Sequence, residues 1–146
     1  MKQWLDEAIE RGAVPVLAGQ NGDMDTIGSA IALASIHPSL LACGLHIGRV
    51  AKRMVTELNA PFRKIAATGT VFPDQLGGII IVDAAAPDQV GINLPNVPKL
   101  ILDHHATNGW ELTEGDCMLK WDVRATTEMV ATYMFEHANE AMTDSV

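Results

Sequence analysis

Four short apolar runs recur along this chain and limit the folds open to it. They span residues 14–18, 40–45, 79–82 and 100–102. Because each run is short and does not alternate apolar with polar residues, it fits a strand that is buried on both faces. Stretches with helical spacing lie between the runs. The sequence therefore predicts an α/β fold with a mainly parallel sheet flanked by helices.

Three stretches have the periodicity of helices. One covers residues 26–36 and is rich in small and apolar side chains. Another covers residues 129–138, with apolar residues at helical spacing. The third is indicated by an i, i+4, i+8 stripe of apolar side chains. That stripe consists of Val50, Met54 and Leu58.

Acidic and imidazole residues follow the apolar runs. Ligands of parallel α/β sheets bind beyond the carboxyl ends of the strands, so we expect these residues to meet at one edge of the sheet. In chain order they are Asp23 and Asp25, Asp83, Asp103-His104-His105 and, after a possible strand at 117–120, Asp122. Each segment taken alone also fits an ordinary turn or a helix N-cap, since Asp and Asn favour both.

Carboxylates with an imidazole form an oxygen-rich ligand set, which suits Mn²⁺ or Mg²⁺ better than a metal that prefers thiolates. Two such ions about 3.5–4 Å apart could activate a water between them and neutralise phosphoryl oxygens. Without a cation, the clustered negative charges would repel one another. A metal site therefore explains the set better than chance does.

Charge and composition narrow the function classes. The 146 residues carry a formal net charge of -8, from 18 acidic and 10 basic residues, which argues against a long nucleic-acid groove. No apolar run approaches the roughly 18 residues of a membrane span, so no membrane partner is expected. The acidic start and the isolated cysteines, Cys43 and Cys117, favour a cytoplasmic protein.

The motifs together resemble the DHH phosphoesterase family, which is named after the triplet seen here at 103–105. The resemblance covers nearly the whole chain, so residues 1–146 are expected to form one Rossmann-like DHH domain. The matching motifs are the D-x-D at 23–25 with Ile27-Gly28-Ser29, Val82-Asp83, the DHH triplet with Asn108, and the segment 121–128.

The resemblance implies a metal-dependent hydrolase. Members of the family use manganese or magnesium to cleave phosphodiester, phosphomonoester or pyrophosphate bonds by metal-activated water, which predicts a nucleotide, a short oligonucleotide or another phosphorylated small molecule as the substrate. Carried over residue by residue, Asp23 and Asp83 would hold one ion. The second ion would be held by Asp25, Asp83, His104 and Asp122, with Asp83 bridging.

The remaining roles also follow from the resemblance. Asp103 would orient the histidine pair, and His105 would contact or protonate the phosphoryl group. Asn108 and Ser29 would lie near the substrate. The sequence departs from the family at Gly19, where many members have a histidine that completes the first metal site.

A second departure concerns length. Catalytic members continue into a smaller domain that clamps the substrate, and we expect this chain to lack it. A homodimer is one way in which the chain could compensate. The alternative to an enzyme is therefore a DHH-like module that binds a nucleotide or a metal without turnover, or with weak activity.

Overall fold

The computed structural model describes residues 1–142, which form one parallel sheet with four α-helices. The strands are β1 (Val14–Ala18), β2 (Leu40–Gly44), β3 (Arg63–Lys64), β4 (Ile79–Val82), β5 (Lys99–Asp103) and β6 (Cys117–Lys120). The helices are α1 (Lys2–Arg11), α2 (Met24–Ala34), α3 (Arg49–Glu57) and α4 (Thr126–His137), and two short 3-10 helices lie at Pro87–Gln89 and Asn139–Ala141.

The six strands lie in the order β3-β2-β1-β4-β5-β6, and every neighbouring pair is parallel. At the centre, Val16 of β1 pairs with Ala42 on one side and Ile80 on the other. The predicted α/β class with a parallel sheet is thus confirmed. Because all strands run the same way, the residues that follow β1, β4 and β5 reach the same edge.

The two faces of the sheet have different covers. Val16, Ile80 and Leu100 belong to one buried cluster, which also contains all the buried apolar residues of the four α-helices. Their strand neighbours Leu17 and Ile81 point to the opposite face and belong to a second cluster. Irregular segments of residues 65–72 and 84–97 supply most of the partners there. Period-2 alternation thus puts apolar side chains on both faces, as the unbroken apolar runs predict.

Two elements have no counterpart in the sequence prediction. Helix α1 buries Leu5 and Ala8 against the sheet and carries i, i+4 ion pairs on its exposed side, such as Lys2 with Asp6. Strand β3 has only two residues, both exposed, so it offers no apolar run to detect. Within residues 1–142, none of the helices is long and apolar enough to cross a membrane.

Candidate metal centre

Asp83 lies at the centre of the carboxyl edge of the sheet. It follows β4 directly, is only 4% exposed, and its backbone N–H donates to the carbonyl of Leu102 at 2.9 Å. Its φ is 58°, in the left-handed region that Asp tolerates better than most residues. This turn out of the strand fixes the carboxylate between the loops that follow β1 and β5.

Hydroxyl and amide donors surround the Asp83 carboxylate. Oδ2 accepts hydrogen bonds from the Asn21 side-chain amide at 3.1 Å and from the hydroxyl of Thr26. Oδ1 accepts a longer one from the hydroxyl of Thr126 at 3.3 Å. Both threonines are fully buried. Since a buried carboxylate needs such partners, these bonds explain how the charge is held here.

Two imidazoles approach the same oxygen of Asp83. The Nε2 atom of His104 lies 3.5 Å from Asp83 Oδ1, and the Nδ1 atom of His105 lies 3.7 Å from it. Together the three residues form a group whose ligand atoms lie within 4.8 Å of one another, and no other such group of His, Cys, Asp or Glu occurs in residues 1–142. Atoms that share a cation at about 2.0–2.2 Å lie roughly 3–4 Å apart, so the 3.5 Å between Asp83 Oδ1 and His104 Nε2 fits two ligands of one divalent ion.

Asp103 holds the ring of His105. Its Oδ1 atom is 2.7 Å from His105 Nδ1, and the carboxylate is fully buried with no hydrogen-bond partner for Oδ2 among the described residues. The hydrogen bond to Asp103 raises the pKa of His105 above its ordinary value of 6.5 although partial burial lowers it, and the charges of Asp103, Asp83 and Asp25 add to the increase. This pairing assigns the proton to Nδ1 and leaves Nε2 as the nitrogen free to act.

Asp23 is both an N-cap and a neighbour of the centre. Its Oδ1 atom accepts from the backbone N–H of Thr26 at 3.0 Å and so caps α2. The Asn21 amide reaches Asp23 Oδ2 at 3.3 Å and Asp83 at 3.1 Å, so it bridges the two carboxylates. The N-cap interpretation of this motif is therefore correct for Asp23, and the same residue lies beside Asp83.

Asp25 joins the start of α4 to the centre. Its carboxylate accepts from the backbone N–H groups of Thr126 and Thr127, both at 2.8 Å, and from the Thr127 hydroxyl at 2.7 Å. The N-cap position of α4 is Ala125, which has no polar side chain, so Asp25 supplies the cap from another helix. The Nε2 atom of His104 lies 3.7 Å from Asp25 Oδ2, the oxygen that also accepts from the Thr126 N–H.

Gly19 packs directly against the backbone of Asp83. Its N–H donates to the carbonyl of Val82 at 3.1 Å, and a Cβ built at Gly19 would lie 2.4 Å from the Asp83 carbonyl oxygen. Any side chain here would therefore require the two segments to move apart. The position at which the resemblance expects a histidine ligand is occupied by backbone packing in this chain.

Comparison with known proteins decides the family. The sequence profile of the "DHH family, N-terminal domain" matches residues 13–145. The chain belongs to the DHH family. A similar solved structure is that of a Methanococcus jannaschii protein assigned to the family II inorganic pyrophosphatases, with a TM-score of 0.63 and 24% identity. The match covers 87% of this chain but only 40% of that protein, and no curated protein shows significant sequence similarity.

Three residues predicted for the site of this DHH domain make no side-chain hydrogen bond or ion pair with Asp83, His104 or His105 among residues 1–142. Asp122 is exposed, before α4, and is not part of the described group of possible ligands. Ser29 is fully buried in α2, and its hydroxyl has no partner among residues 1–142. Asn108 is exposed, and its side-chain oxygen accepts from the backbone N–H of Trp110 at 3.0 Å. Their roles stay predictions.

Three threonines of the site were not singled out from the sequence. Thr26 and Thr126 donate to Asp83, and Thr127 donates to Asp25. Thr26 could have been found from its position three residues after the N-cap Asp23, because the residue at that position lies next to the capping side chain. Thr126 and Thr127 begin α4 after an alanine that cannot cap, which indicates that a cap must come from elsewhere in the chain.

Proposed function

We propose that this chain is a divalent-metal-dependent phosphoesterase domain of the DHH family. The observation that supports this most is the group of Asp83, His104 and His105 at the carboxyl edge of the sheet of a DHH domain. The substrates would be nucleotides or short oligonucleotides that contain a phosphodiester, phosphomonoester or pyrophosphate bond. The formal net charge of -8 is compatible with such anions if cations neutralise part of the edge.

The donor set suits Mn²⁺ or Mg²⁺. Asp83 and His104 would hold a cation, with Asp25 as the third donor from the start of α2. A divalent cation in this position would polarise a phosphoryl oxygen and lower the pKa of a coordinated water. The buried hydroxyls of Thr26 and Thr126 orient Asp83 for this task, because they fix both of its oxygens.

His105 would act as the proton donor. The hydrogen bond from Nδ1 to Asp103 keeps the imidazole oriented and favours its protonated form, since the pKa of His105 is raised. Nε2 can then give a proton to the leaving oxygen of the cleaved bond. Asp103 does not contact the substrate in this account and acts by positioning His105.

A second cation would bind more weakly between Asp23 and Asp83. The two carboxylates lie close enough for the Asn21 amide to bridge them. Gly19 offers no donor there, and its packing against Asp83 leaves no room for one. We therefore propose two ions of unequal affinity, with the stronger at His104.

Hydrolysis of bis-p-nitrophenyl phosphate, pyrophosphate and a short oligonucleotide in Mn²⁺ tests the activity. In Asp83→Asn the asparagine has the size of aspartate and also tolerates a left-handed backbone, but it carries no charge. We expect this substitution to lower the rate at least about a hundredfold. Asp88→Asn is the matched control, because Asp88 is an exposed carboxylate on the segment after the same strand. Equal rates for Asp83→Asn and wild type, or no rate above the metal blank, would contradict the proposal.

The second candidate function is a module that binds a metal or a nucleotide without turnover. The packing at Gly19 favours it, because the first metal site then lacks a ligand. Calorimetric binding of Mn²⁺ that is lost in Asp83→Asn, with no product from any of the three substrates, would support this candidate over the enzyme.

We further propose a cytoplasmic location. Cys43 and Cys117 are free thiols, the state that a reducing compartment maintains. Fractionation of cells that express the untagged chain tests this directly, and recovery of the protein outside the cytoplasm would contradict it.

A further inference from the structure

A large cavity lies on the face of the sheet opposite to the α-helices. Its volume is about 1030 Å³, and it extends from the amino ends of β1 and β2 under the segment of residues 65–73. Pro15, Leu17, Leu41 and Cys43 form its floor. None of the residues around Asp83 lines it, so the cavity is separate from the candidate metal centre.

The walls of the cavity are mostly apolar, and part of them is exposed to solvent. Ile65 and Phe72 line it opposite the strands, and Val71 and Leu41 are 89% and 43% exposed. Aliphatic and aromatic side chains left in water around a concave surface favour binding of an apolar molecule. A volume of this size lies at the upper end of the range for small-molecule sites.

Arg63 places a cation in the cavity. It is the register partner of Cys43 on β2, so the two side chains emerge on the same face of the sheet. The guanidinium is close enough to the Cys43 thiol to lower its pKa, although burial has the larger effect and raises that pKa to about 11. Arg63 has no ion pair or hydrogen bond from its side chain among residues 1–142, and Lys64 lies beside it.

We propose that this cavity binds an elongated apolar molecule with one anionic group, a carboxylate or a phosphate. The apolar body would lie on the floor formed by Leu17 and Leu41, and the anion would pair with Arg63. An unpaired guanidinium beside an apolar cavity is complementary to such an amphipathic anion. The proposal is independent of the metal centre and does not require phosphoesterase activity.

Fluorescent probes that differ in charge test the proposal, in buffer with EDTA. The probes are 1-anilinonaphthalene-8-sulfonate, which is anionic, and N-phenyl-1-naphthylamine, which has the same rings and is neutral. We expect wild type to bind both. Arg63→Gln should weaken binding of the anionic probe about tenfold and leave the neutral probe within about twofold. Arg53→Gln is the control, because Arg53 is exposed on α3 and outside the cavity.

Competition between anionic and neutral amphiphiles tests whether the cavity requires an anionic group. Dodecanoate or dodecyl phosphate should displace the anionic probe about tenfold better than dodecanol in wild type, and this preference should vanish in Arg63→Gln. Three results would overturn the proposal: no binding of either probe, equal losses in Arg63→Gln and Arg53→Gln, or equal displacement by all three competitors. Analytical ultracentrifugation completes the test by following self-association of the chain. If probe binding falls as the chain self-associates, the proposal is overturned and this face is an interface between copies.

Discussion

At the scale of single residues, the backbone of Gly19 packs closely against that of Asp83 at the candidate metal centre. Glycine fits at position 19 without strain, whereas a Cβ there would lie 2.4 Å from the Asp83 carbonyl oxygen. Asp83 itself has a left-handed backbone and a buried carboxylate. A shift of Gly19 would therefore move the central carboxylate as well.

Gly19→Ala should lower the free energy of unfolding by about 1–3 kcal/mol, as expected for overpacking of a tight contact. Gly28→Ala is the matched control within α2, since a Cβ there would meet only Thr127 Cγ2 at 3.5 Å. Alanine is the better helix former, so this control should be neutral or stabilising by up to about 1 kcal/mol. Urea denaturation measures both, and equal stabilities for the two variants would contradict the packing at Gly19.

The pair of Asp103 and His105 predicts a titration in the protein without metal. The pKa of His105 is raised above 6.5, first of all by the hydrogen bond to Asp103. Protonated His105 therefore stabilises the folded state. This contribution is fully present below pH 6.5, the unfolded value, and is lost as the pH rises through the higher folded value.

NMR titration of the imidazole tests this in the presence of EDTA. Asp103→Asn should bring the pKa of His105 down toward 6.5, because the asparagine keeps the size of the side chain but not its charge. Asp88→Asn should leave the titration unchanged, since Asp88 is exposed on another loop. A pKa of His105 that is the same in wild type and Asp103→Asn would show that the hydrogen bond does not govern it.

At the scale of elements, α4 depends on a cap that comes from α2. Asp25 accepts three hydrogen bonds from Thr126 and Thr127, and Ala125 contributes none with its side chain. A carboxylate at a helix N-terminus is also stabilised by the helix dipole. The first turn of α4 and the metal centre therefore share one side chain.

Asp25→Ala should destabilise the fold by about 1–2 kcal/mol, the usual cost of losing a helix cap. Asp122→Ala is the control, because Asp122 is an exposed carboxylate just before the same helix, and we expect a change within about 0.5 kcal/mol. Thermal unfolding without metal gives both values. Equal effects of the two substitutions would mean that Asp25 does not cap α4.

The sequence predicts the strands better than it predicts which face of a helix is buried. The four apolar runs locate β1, β2, β4 and β5, since buried parallel strands have few other patterns, and the possible strand at 117–120 is β6. The stripe of Val50, Met54 and Leu58 correctly indicates a helix, yet these residues are 65%, 36% and 38% exposed, and Ala51 is the buried residue of α3. Periodicity identifies a helix but does not decide which neighbours cover it.

At the scale of the whole molecule, sheet order explains why distant motifs meet. β4 lies between β1 and β5, so Asp83 lies between the loop with Asp23 and the pair of His104 and His105. This much follows from strand ends in a parallel sheet. The sequence does not show which carboxylates the threonines contact or that Gly19 is crowded, because both depend on how α4 and the loops pack in three dimensions.

The two faces of the sheet divide the molecule further. The carboxyl edge of the sheet carries the candidate metal centre, whereas the face opposite the α-helices carries the cavity with Arg63. The first arrangement is typical of α/β proteins, in which ligands bind beyond the strand ends. The cavity arises because irregular segments cover the face opposite the α-helices and leave Leu41 half-exposed.

Anomalous diffraction from crystals soaked in Mn²⁺ would show whether Asp83 and His104 hold a divalent ion. We expect a strong peak about 2.0–2.3 Å from a carboxylate oxygen of Asp83 and from Nε2 of His104, with a weaker peak between Asp23 and Asp83. Both peaks should disappear in Asp83→Asn crystals. A peak that persists in Asp83→Asn, or manganese bound only away from Asp83 and His104, would contradict the account.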